Sequence, residues 1–204
     1  MNIFCIEQNY YLPQHERPGD GTAKPVIFLK PQSSLWQPGA SFRYPIFAHE
    51  LYCGCELILR ISKNGRNIPA ELARNYYDAI SVGINFTALY DPDDLSREEL
   101  TWEQAKAWDH SSVEGLWMPA ENFNNVHDIN FCLYKNRTLV QLGNSASMVH
   151  DFDTIIAGVS TSFRVNPGDI VFTGTPVGSA QILAGDKLEA FIEDDSVIEF
   201  DVEE

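Results

Sequence analysis

The sequence predicts a mixed α+β fold that consists mainly of β-strands. Three observations predict it: short apolar runs of strand-like composition dominate the chain, turn-forming residues separate them, and only three stretches have helical spacing. The chain has 204 residues, of which 44% are hydrophobic, so it is long enough to bury a substantial core. No fixed repeat and no linker rich in serine or glycine divides it, and we therefore expect a single domain over residues 1–204.

The predicted strands are short runs of β-branched, aromatic and other apolar residues. They cover residues 2–6, 26–29, 55–61, 82–88, 129–134, 138–142, 169–173, 187–192 and 197–202. Turns are predicted at Asn64-Gly65, at Asn136-Arg137 and at residues 166–169. Asparagine, glycine and proline favour these turns because they adopt the backbone torsions that tight connections need.

Helical spacing predicts three short helices, at residues 69–80, 98–108 and 151–163. Ser96 stands three residues before Glu99, which is the spacing of a capping box at the start of the second helix. The third helix carries its apolar residues on one face, so we expect that face to pack on a sheet.

Acidic residues outnumber basic ones, with 29 Asp and Glu against 14 Lys and Arg and a formal net charge of −15. Nucleic acids and anionic membranes are bound largely through Lys and Arg, so we expect neither as a partner. No stretch has the length and apolarity of a membrane span, and the first residues lack the pattern of a signal peptide. We expect a cytoplasmic protein whose four cysteines are reduced thiols.

A polar segment that contains prolines, residues 7–24, interrupts the apolar pattern after the first strand. Such a segment either closes over a site as a lid or forms a plain surface loop. The composition of the segment is compatible with both interpretations.

The predicted strand 169–173 runs directly into the turn Thr173-Gly174-Thr175-Pro176. Its backbone amides and two hydroxyls face whatever lies beyond the strand, so the turn is suited to hold a carboxylate. The alternative is an ordinary strand end that proline stiffens. No Walker pattern surrounds the letters GTP, so a nucleotide site is not indicated.

Five segments, taken together and in order, resemble the fumarylacetoacetate hydrolase family. They are KPQSS at 30–34, VGINFTA at 82–88, WEQAKAWD at 102–109, QLGN at 141–144 and DIVFTGTPVG at 169–178. The resemblance implies the C-terminal-domain fold of that family, in which several short sheets surround a central pocket. It also implies Mg²⁺ or Mn²⁺ as cofactor, a small 2-oxo or 1,3-dioxo acid as substrate, and a homodimer.

The family's reactions are hydrolysis, decarboxylation, hydration and isomerisation. A divalent cation chelated by the keto and carboxylate oxygens of the acid stabilises the enolate that these reactions share. One kind of site therefore serves several reactions, and the sequence does not choose among them.

The resemblance places the metal ligands at three carboxylate positions, and this chain departs from two of them. In the segment YCGCEL at 52–57, Glu56 matches one ligand while Gly54 stands where a second carboxylate is expected. Asn85 replaces the third, an aspartate. Because Mg²⁺ is held mainly by carboxylates and substrate oxygens, we expect weak metal binding or none at Glu56 and Asn85. A shifted register that recruits Glu50 is the alternative, and Cys53 and Cys55 are expected on the opposite face as buried thiols.

The resemblance also implies catalytic and substrate-binding residues. Lys106 matches the family's functional lysine, and Gln141, Gly174 and Thr175 match its substrate-binding positions. In the family's lid a histidine and a glutamate position water or move a proton. Here Glu16 keeps the acid, but Pro13 stands at the histidine position and His15 follows two residues later.

Three functional hypotheses follow. The first is an enzyme of this family that acts on a small oxo acid through Lys106, Gln141 and Thr175. The second is a catalytically impaired descendant that binds a ligand or partner in the same pocket, since Gly54 and Asn85 both remove metal ligands. The third is a structural subunit that pairs with a related chain.

Overall fold

Two β-sheets contain most of the regular secondary structure of the described residues, as the mainly β prediction requires. The computed structural model describes residues 1–10, 24–36, 41–89 and 101–204. Its strands are β1 (Ile3–Glu7), β2 (Val26–Lys30), β3 (Phe42–Arg43), β4 (Glu50–Ile61), β5 (Tyr77–Leu89), β6 (Ser112–Glu114), β7 (Met118–Pro119), β8 (Asn130–Lys135), β9 (Thr138–Asn144), β10 (Ile170–Phe172), β11 (Ala180–Ile182), β12 (Lys187–Ile192) and β13 (Asp195–Glu203). Its helices are α1 (Ala70–Ala73), α2 (Trp102–Lys106) and α3 (Phe152–Ser162).

The first sheet is built around the antiparallel pair β4 and β5. Its strands lie in the order β2-β1-β10-β4-β5-β6, with β11 added to β4 and β7 added to β5. The second sheet has the order β3-β13-β12-β8-β9. Apolar residues of both sheets, together with α3, form the main core.

The pairing of β4 with β5 sets which side chains share the face of the site. Gly54 lies opposite Asn85 and Glu56 lies opposite Gly83. Because alternate residues of a strand point to the same side, Gly54, Glu56 and Asn85 share one face. The register is continuous from Glu50 to Arg60, so the shifted register that would recruit Glu50 is wrong.

The first predicted helix, 69–80, is mostly wrong. Only Ala70–Ala73 is α-helical, a 3₁₀ turn follows at Arg74–Tyr76, and β5 already begins at Tyr77. The reason is tertiary: Tyr77, Ala79 and Ile80 have their side chains buried beside β4, and this sheet pairing outweighs the weak helical preference of the segment.

The second helix is shorter than predicted and has a different cap. Helix α2 begins after Thr101, whose hydroxyl accepts a hydrogen bond from the Gln104 amide while the Gln104 side chain accepts one from the Thr101 amide. This reciprocal pair is a capping box, and it places the helix start four residues later than predicted, at Trp102. The predicted cap of Ser96 and Glu99 lies outside the described residues.

The third helix matches its prediction closely. The Asp151 side chain accepts a hydrogen bond from the Thr154 amide at 2.8 Å and so caps α3. Ile155, Ile156 and Val159 are fully buried, as the apolar face predicts.

Replacing Asp151 by alanine is expected to destabilise the protein by about 1 kcal/mol, because the Thr154 amide loses its capping acceptor. Asp151→Asn is the matched control, since an asparagine side chain caps about as well as an aspartate. Urea denaturation followed by circular dichroism measures both variants. Equal losses in the two variants would contradict the capping role.

The turn between β8 and β9 confirms the prediction at Asn136-Arg137. Both residues have positive φ, 52° and 65°, as a tight two-residue hairpin requires. The turn at 166–169 is also present, with Gly168 at a φ of 87°. The turn at Asn136-Arg137 fixes the register of β9 against β8, and β9 carries Gln141 toward the first sheet.

The four cysteines are free thiols, and Cys53 and Cys55 are buried in the main core, as predicted. Burial raises the pKa of Cys53 to about 12, which keeps this thiol protonated and poorly suited to bind metal. Within the described ranges, no helix has the length and apolarity needed to cross a membrane.

Candidate active site

A pocket of about 340 Å³ lies where the ends of β1 and α2 meet the β4–β5 pair. Its polar lining includes Glu7, Tyr52, Glu56, Asn85, Lys106 and Thr175. Three residues that the sequence analysis predicted for the site, Glu56, Asn85 and Lys106, are therefore brought together here. Thr175 joins them from the loop after β10.

A gap in the pairing of β4 positions the Thr173–Pro176 loop beside the pocket. Strand β10 pairs with Ile58–Arg60 and β11 pairs with Leu51–Cys53, so neither pairs with the backbone between them. The loop closes this gap: the Thr173 amide donates to the Leu57 carbonyl, and the Thr175 hydroxyl donates to the Cys55 carbonyl at 3.1 Å. The predicted turn at the strand end is therefore part of the sheet's hydrogen bonding.

Glu56 is a buried carboxylate, with 3% of its surface exposed. Its Oε2 accepts a hydrogen bond from the Gly174 amide at 2.8 Å, and its Oε1 accepts one from Asn85 Nδ2 at 3.1 Å. Burial raises the pKa of Glu56 to about 7, and the Gly174 bond opposes this rise. Gly174 has a φ of 101°, a conformation that glycine adopts without strain, and this lets its amide face Glu56.

Lys30, the last residue of β2, is also buried, with 2% of its surface exposed. Its Nζ donates to Asn85 Oδ1, to the Ser111 carbonyl oxygen and to Ser112 Oγ, each at 2.7 Å. Burial lowers the pKa of Lys30 to about 7. In the sequence, Lys30 is visible only as the first residue of the family-like segment KPQSS. The available signal was a lysine that ends an apolar strand directly before Pro31.

Lys106, the last residue of α2, forms part of the pocket wall. Its Nζ lies 3.0 Å from Glu7 Oε1 and 5.0 Å from the centroid of the Trp102 ring. Both partners of the ion pair are partly exposed, with 20% of the Lys106 side chain and 24% of the Glu7 side chain accessible. The sequence alone does not indicate a site role for Glu7, because its partner Lys106 is 99 residues away along the chain.

The three predicted substrate-binding residues take different positions. Thr175 lines the pocket, whereas the Gly174 amide is bonded to Glu56. Gln141 is buried behind Thr175: its Oε1 accepts from the Cys55 amide at 2.7 Å, and its Nε2 donates to Thr175 Oγ1 and the Pro176 carbonyl. Contact of these residues with a substrate stays a prediction. The predicted lid residues His15 and Glu16, and most of the arm 7–24, lie outside the described residues.

The donors at the predicted metal position do not fit Mg²⁺ or Mn²⁺. Glu56 supplies one carboxylate, Gly54 supplies no side chain, and Asn85 Oδ1 is already bonded to the Lys30 ammonium. Across the described part of the chain, no cluster of three or more His, Cys, Asp or Glu side chains is placed to hold an ion. Hard divalent cations require several oxygen ligands, which this arrangement does not offer.

Comparison with known proteins extends over nearly the whole chain. The family model described as "Fumarylacetoacetate (FAA) hydrolase C-terminal" matches residues 2–204. The rat (Rattus norvegicus) protein named oxaloacetate tautomerase FAHD1, mitochondrial, is 28% identical over 202 residues, which cover 99% of this chain and 91% of that protein.

Two solved structures have the same fold. The 2-hydroxyhepta-2,4-diene-1,7-dioate isomerase from Mycobacterium marinum has a TM-score of 0.83 at 25% identity, covering 99% of this chain and 74% of that one. The fumarylpyruvate hydrolase from Pseudomonas aeruginosa, solved in complex with Mn²⁺ and pyruvate, has a TM-score of 0.81 at 24% identity, covering 100% of this chain and 89% of that one. Because the family model matches residues 2–204, the chain belongs to the fumarylacetoacetate hydrolase family.

Proposed function

We propose that this protein is an enzyme that acts on a small 2-oxo acid and interconverts its keto and enol forms. The observation that carries the proposal is the juxtaposition, in one pocket, of the Lys106 ammonium and the buried Glu56 carboxylate. Keto–enol exchange needs a group that moves a proton between carbon and oxygen and a cation that stabilises the developing enolate. Relatives named as a tautomerase and an isomerase support this reaction class.

The chemistry assigns a different task to each side chain. Lys106 binds the carboxylate of the acid or the enolate oxygen, because its ammonium is the cation in the pocket wall. Glu56 takes the proton from the carbon beside the carbonyl and returns it to oxygen. The hydrogen bonds from Gly174 and Asn85 hold the Glu56 carboxylate in a fixed orientation for this transfer.

Hydrolysis and decarboxylation have less support from the described residues. Hydrolysis requires a water held and activated beside the scissile bond, and the lid residues His15 and Glu16 that the resemblance assigns to this task lie outside the described part of the chain. The relatives reported above give no support to the alternative of a catalytically impaired protein.

The ultraviolet absorbance of the enol provides the test. Purified protein is added to freshly dissolved crystalline oxaloacetate, and the approach to keto–enol equilibrium is compared with the rate in buffer alone. We expect a rate that increases in proportion to enzyme concentration. A rate equal to that of buffer for oxaloacetate and for acylpyruvates would reject the proposal.

Removing the negative charge of Glu7 is expected to strengthen anion binding. A substrate carboxylate that approaches Lys106 must displace Glu7, and a partly exposed ion pair of this kind contributes up to about 1 kcal/mol. Glu7→Gln should therefore bind oxalate, a mimic of the enolate of an oxo acid, about fivefold more tightly by isothermal titration calorimetry. Glu121→Gln is the control, because it makes the same charge change at an exposed residue that does not line the pocket. Weaker binding by Glu7→Gln would show that Glu7 helps to bind the ligand.

A further inference from the structure

The orientation of the Asn85 amide is fixed by its neighbours. A lysine Nζ only donates hydrogen bonds, so the Asn85 atom that lies 2.7 Å from Lys30 must be the carbonyl oxygen. The amide nitrogen therefore faces Glu56, to which it donates. An aspartate here would present an acceptor oxygen in both directions. This asparagine presents N–H groups on the Glu56 side, and N–H groups repel a cation and attract an anion.

The Lys30 side chain is held as a full ammonium donor. Its three partners, Asn85 Oδ1, the Ser111 carbonyl oxygen and Ser112 Oγ, equal in number the three N–H groups of an ammonium. A charge with this degree of burial persists only when its hydrogen bonds are made. Burial lowers the pKa of Lys30 to about 7, and these three hydrogen bonds favour its charged form, which lies one side chain behind the pocket wall.

The space beside Gly54, where the family resemblance predicts a carboxylate, is filled by another side chain. A Cβ atom built on Gly54 would overlap Thr175 Oγ1, so the Thr175 hydroxyl already occupies the space of a side chain there. That hydroxyl is bonded to the Cys55 carbonyl and to Gln141 Nε2. The substitutions at residues 54 and 85 are therefore accommodated by a closed network of protein hydrogen bonds.

We infer that the ammonium of Lys30, held by Asn85, is the resident cation of this pocket, so that an oxo-acid anion binds here without Mg²⁺ or Mn²⁺. Lys30 and Lys106 together supply the positive charge that the anion needs. The Asn85 amide lines the pocket and presents its N–H groups on the side where it donates to Glu56. The inference rests on the function proposed above, and it concerns how the same pocket binds its ligand.

Two binding measurements on the wild-type protein test the inference. Free Mn²⁺, observed by its electron paramagnetic resonance signal, should remain unbound when the protein is added. Calorimetric titration with oxalate should give affinities that agree within about twofold in EDTA and in a buffer with Mn²⁺, after correction for the oxalate that Mn²⁺ itself chelates. Stoichiometric uptake of Mn²⁺, or oxalate binding that requires Mn²⁺, would overturn the inference.

The Asn85→Asp variant is a stricter test, because a pocket with a resident lysine cation and a pocket with a metal site predict opposite changes in oxalate affinity. If Lys30 is the resident cation, the new carboxylate pairs with it and repels the ligand, and oxalate affinity in EDTA falls about tenfold. If the pocket is a metal site with a missing ligand, the variant gains Mn²⁺ and binds oxalate more tightly in its presence. Asn125→Asp, at an exposed residue outside the pocket, is the control for the charge change and should leave affinity unaltered. Thermal unfolding verifies that each variant is folded.

The rate of keto–enol exchange, measured in EDTA and with Mn²⁺, distinguishes failure of this inference from failure of the proposed function. Keto–enol exchange that persists in EDTA supports both. Exchange that occurs only with Mn²⁺ overturns the inference and keeps the function. Oxalate binding in EDTA without any exchange rejects the function and keeps the inference.

Discussion

Replacing Lys106 by methionine should lower kcat/KM for keto–enol exchange by about 10²- to 10³-fold, the usual cost of removing one charge-stabilising donor from an active site. Among the described residues that line the pocket, Lys106 is the cationic one, so the variant leaves the substrate carboxylate without its direct partner. Methionine keeps an unbranched side chain of similar length beside Trp102. The enol absorbance assay measures the loss, and oxalate calorimetry divides it between binding and chemistry.

Lys135→Met is the matched control for this experiment. Lys135 is also a partly buried lysine, with 28% of its side chain exposed, and it pairs with Asp186 and donates to the Gln181 carbonyl outside the pocket. Its replacement should leave kcat/KM unchanged. Retention of wild-type activity by Lys106→Met would remove Lys106 from the mechanism.

The alternation of residues along β4 was sufficient to predict which of its side chains face the pocket. The parity of β4 predicts that Glu56 and residue 54 point to one side while Cys53 and Cys55 point to the other, and both halves of that prediction are confirmed. The same is true of α3, whose apolar spacing and capping aspartate are features of neighbouring residues. Strand and helix periodicity act over a few residues, which is why they can be seen in a single sequence.

Partners that come from distant segments were not predictable in this way. Lys30 reaches Asn85 across 55 residues of sequence, and neither residue type carries a signal for the other. A lysine at the end of a strand usually extends into solvent, so its burial follows only from the position of β6, which brings Ser112 next to it. The predicted helix at 69–80 is wrong for a related reason: pairing with β4, a tertiary interaction, determines the conformation from Tyr77 onward.

The metal position illustrates the difference between losing ligands and replacing them. The resemblance to the family predicts a carboxylate at two positions where this chain has Gly54 and Asn85. It does not detect that Thr175 fills the first position or that Lys30 satisfies the second, because both contacts depend on side-chain packing. A site in which a buried lysine contacts Asn85 is expected to hold a divalent cation less well than an anion.

Replacing Gln141 by leucine should lower the free energy of unfolding by about 3 kcal/mol. The Gln141 side chain connects the second sheet to the first through hydrogen bonds. Gln141 belongs to β9, yet its amide bonds to the Cys55 amide of β4 and to the Pro176 carbonyl. Both backbone groups lie at the gap between β10 and β11, where no strand pairs with them. Leucine has a similar size but no polar atoms, so these groups would remain buried without partners.

Two further variants identify which of the bonds matters. Gln141→Glu keeps an oxygen for the Cys55 amide but places the second oxygen against the Pro176 carbonyl, and we expect it to be at least as destabilising as leucine. Gln181→Leu, at an exposed glutamine in β11, should change the free energy of unfolding by less than about 0.5 kcal/mol. Urea denaturation measures all three. If Gln141→Leu lowered the free energy of unfolding no more than Gln181→Leu does, water would be bonding to the Cys55 amide and the Pro176 carbonyl in place of Gln141. The Thr173–Pro176 loop would then be held by its own hydrogen bonds to Cys55 and Leu57.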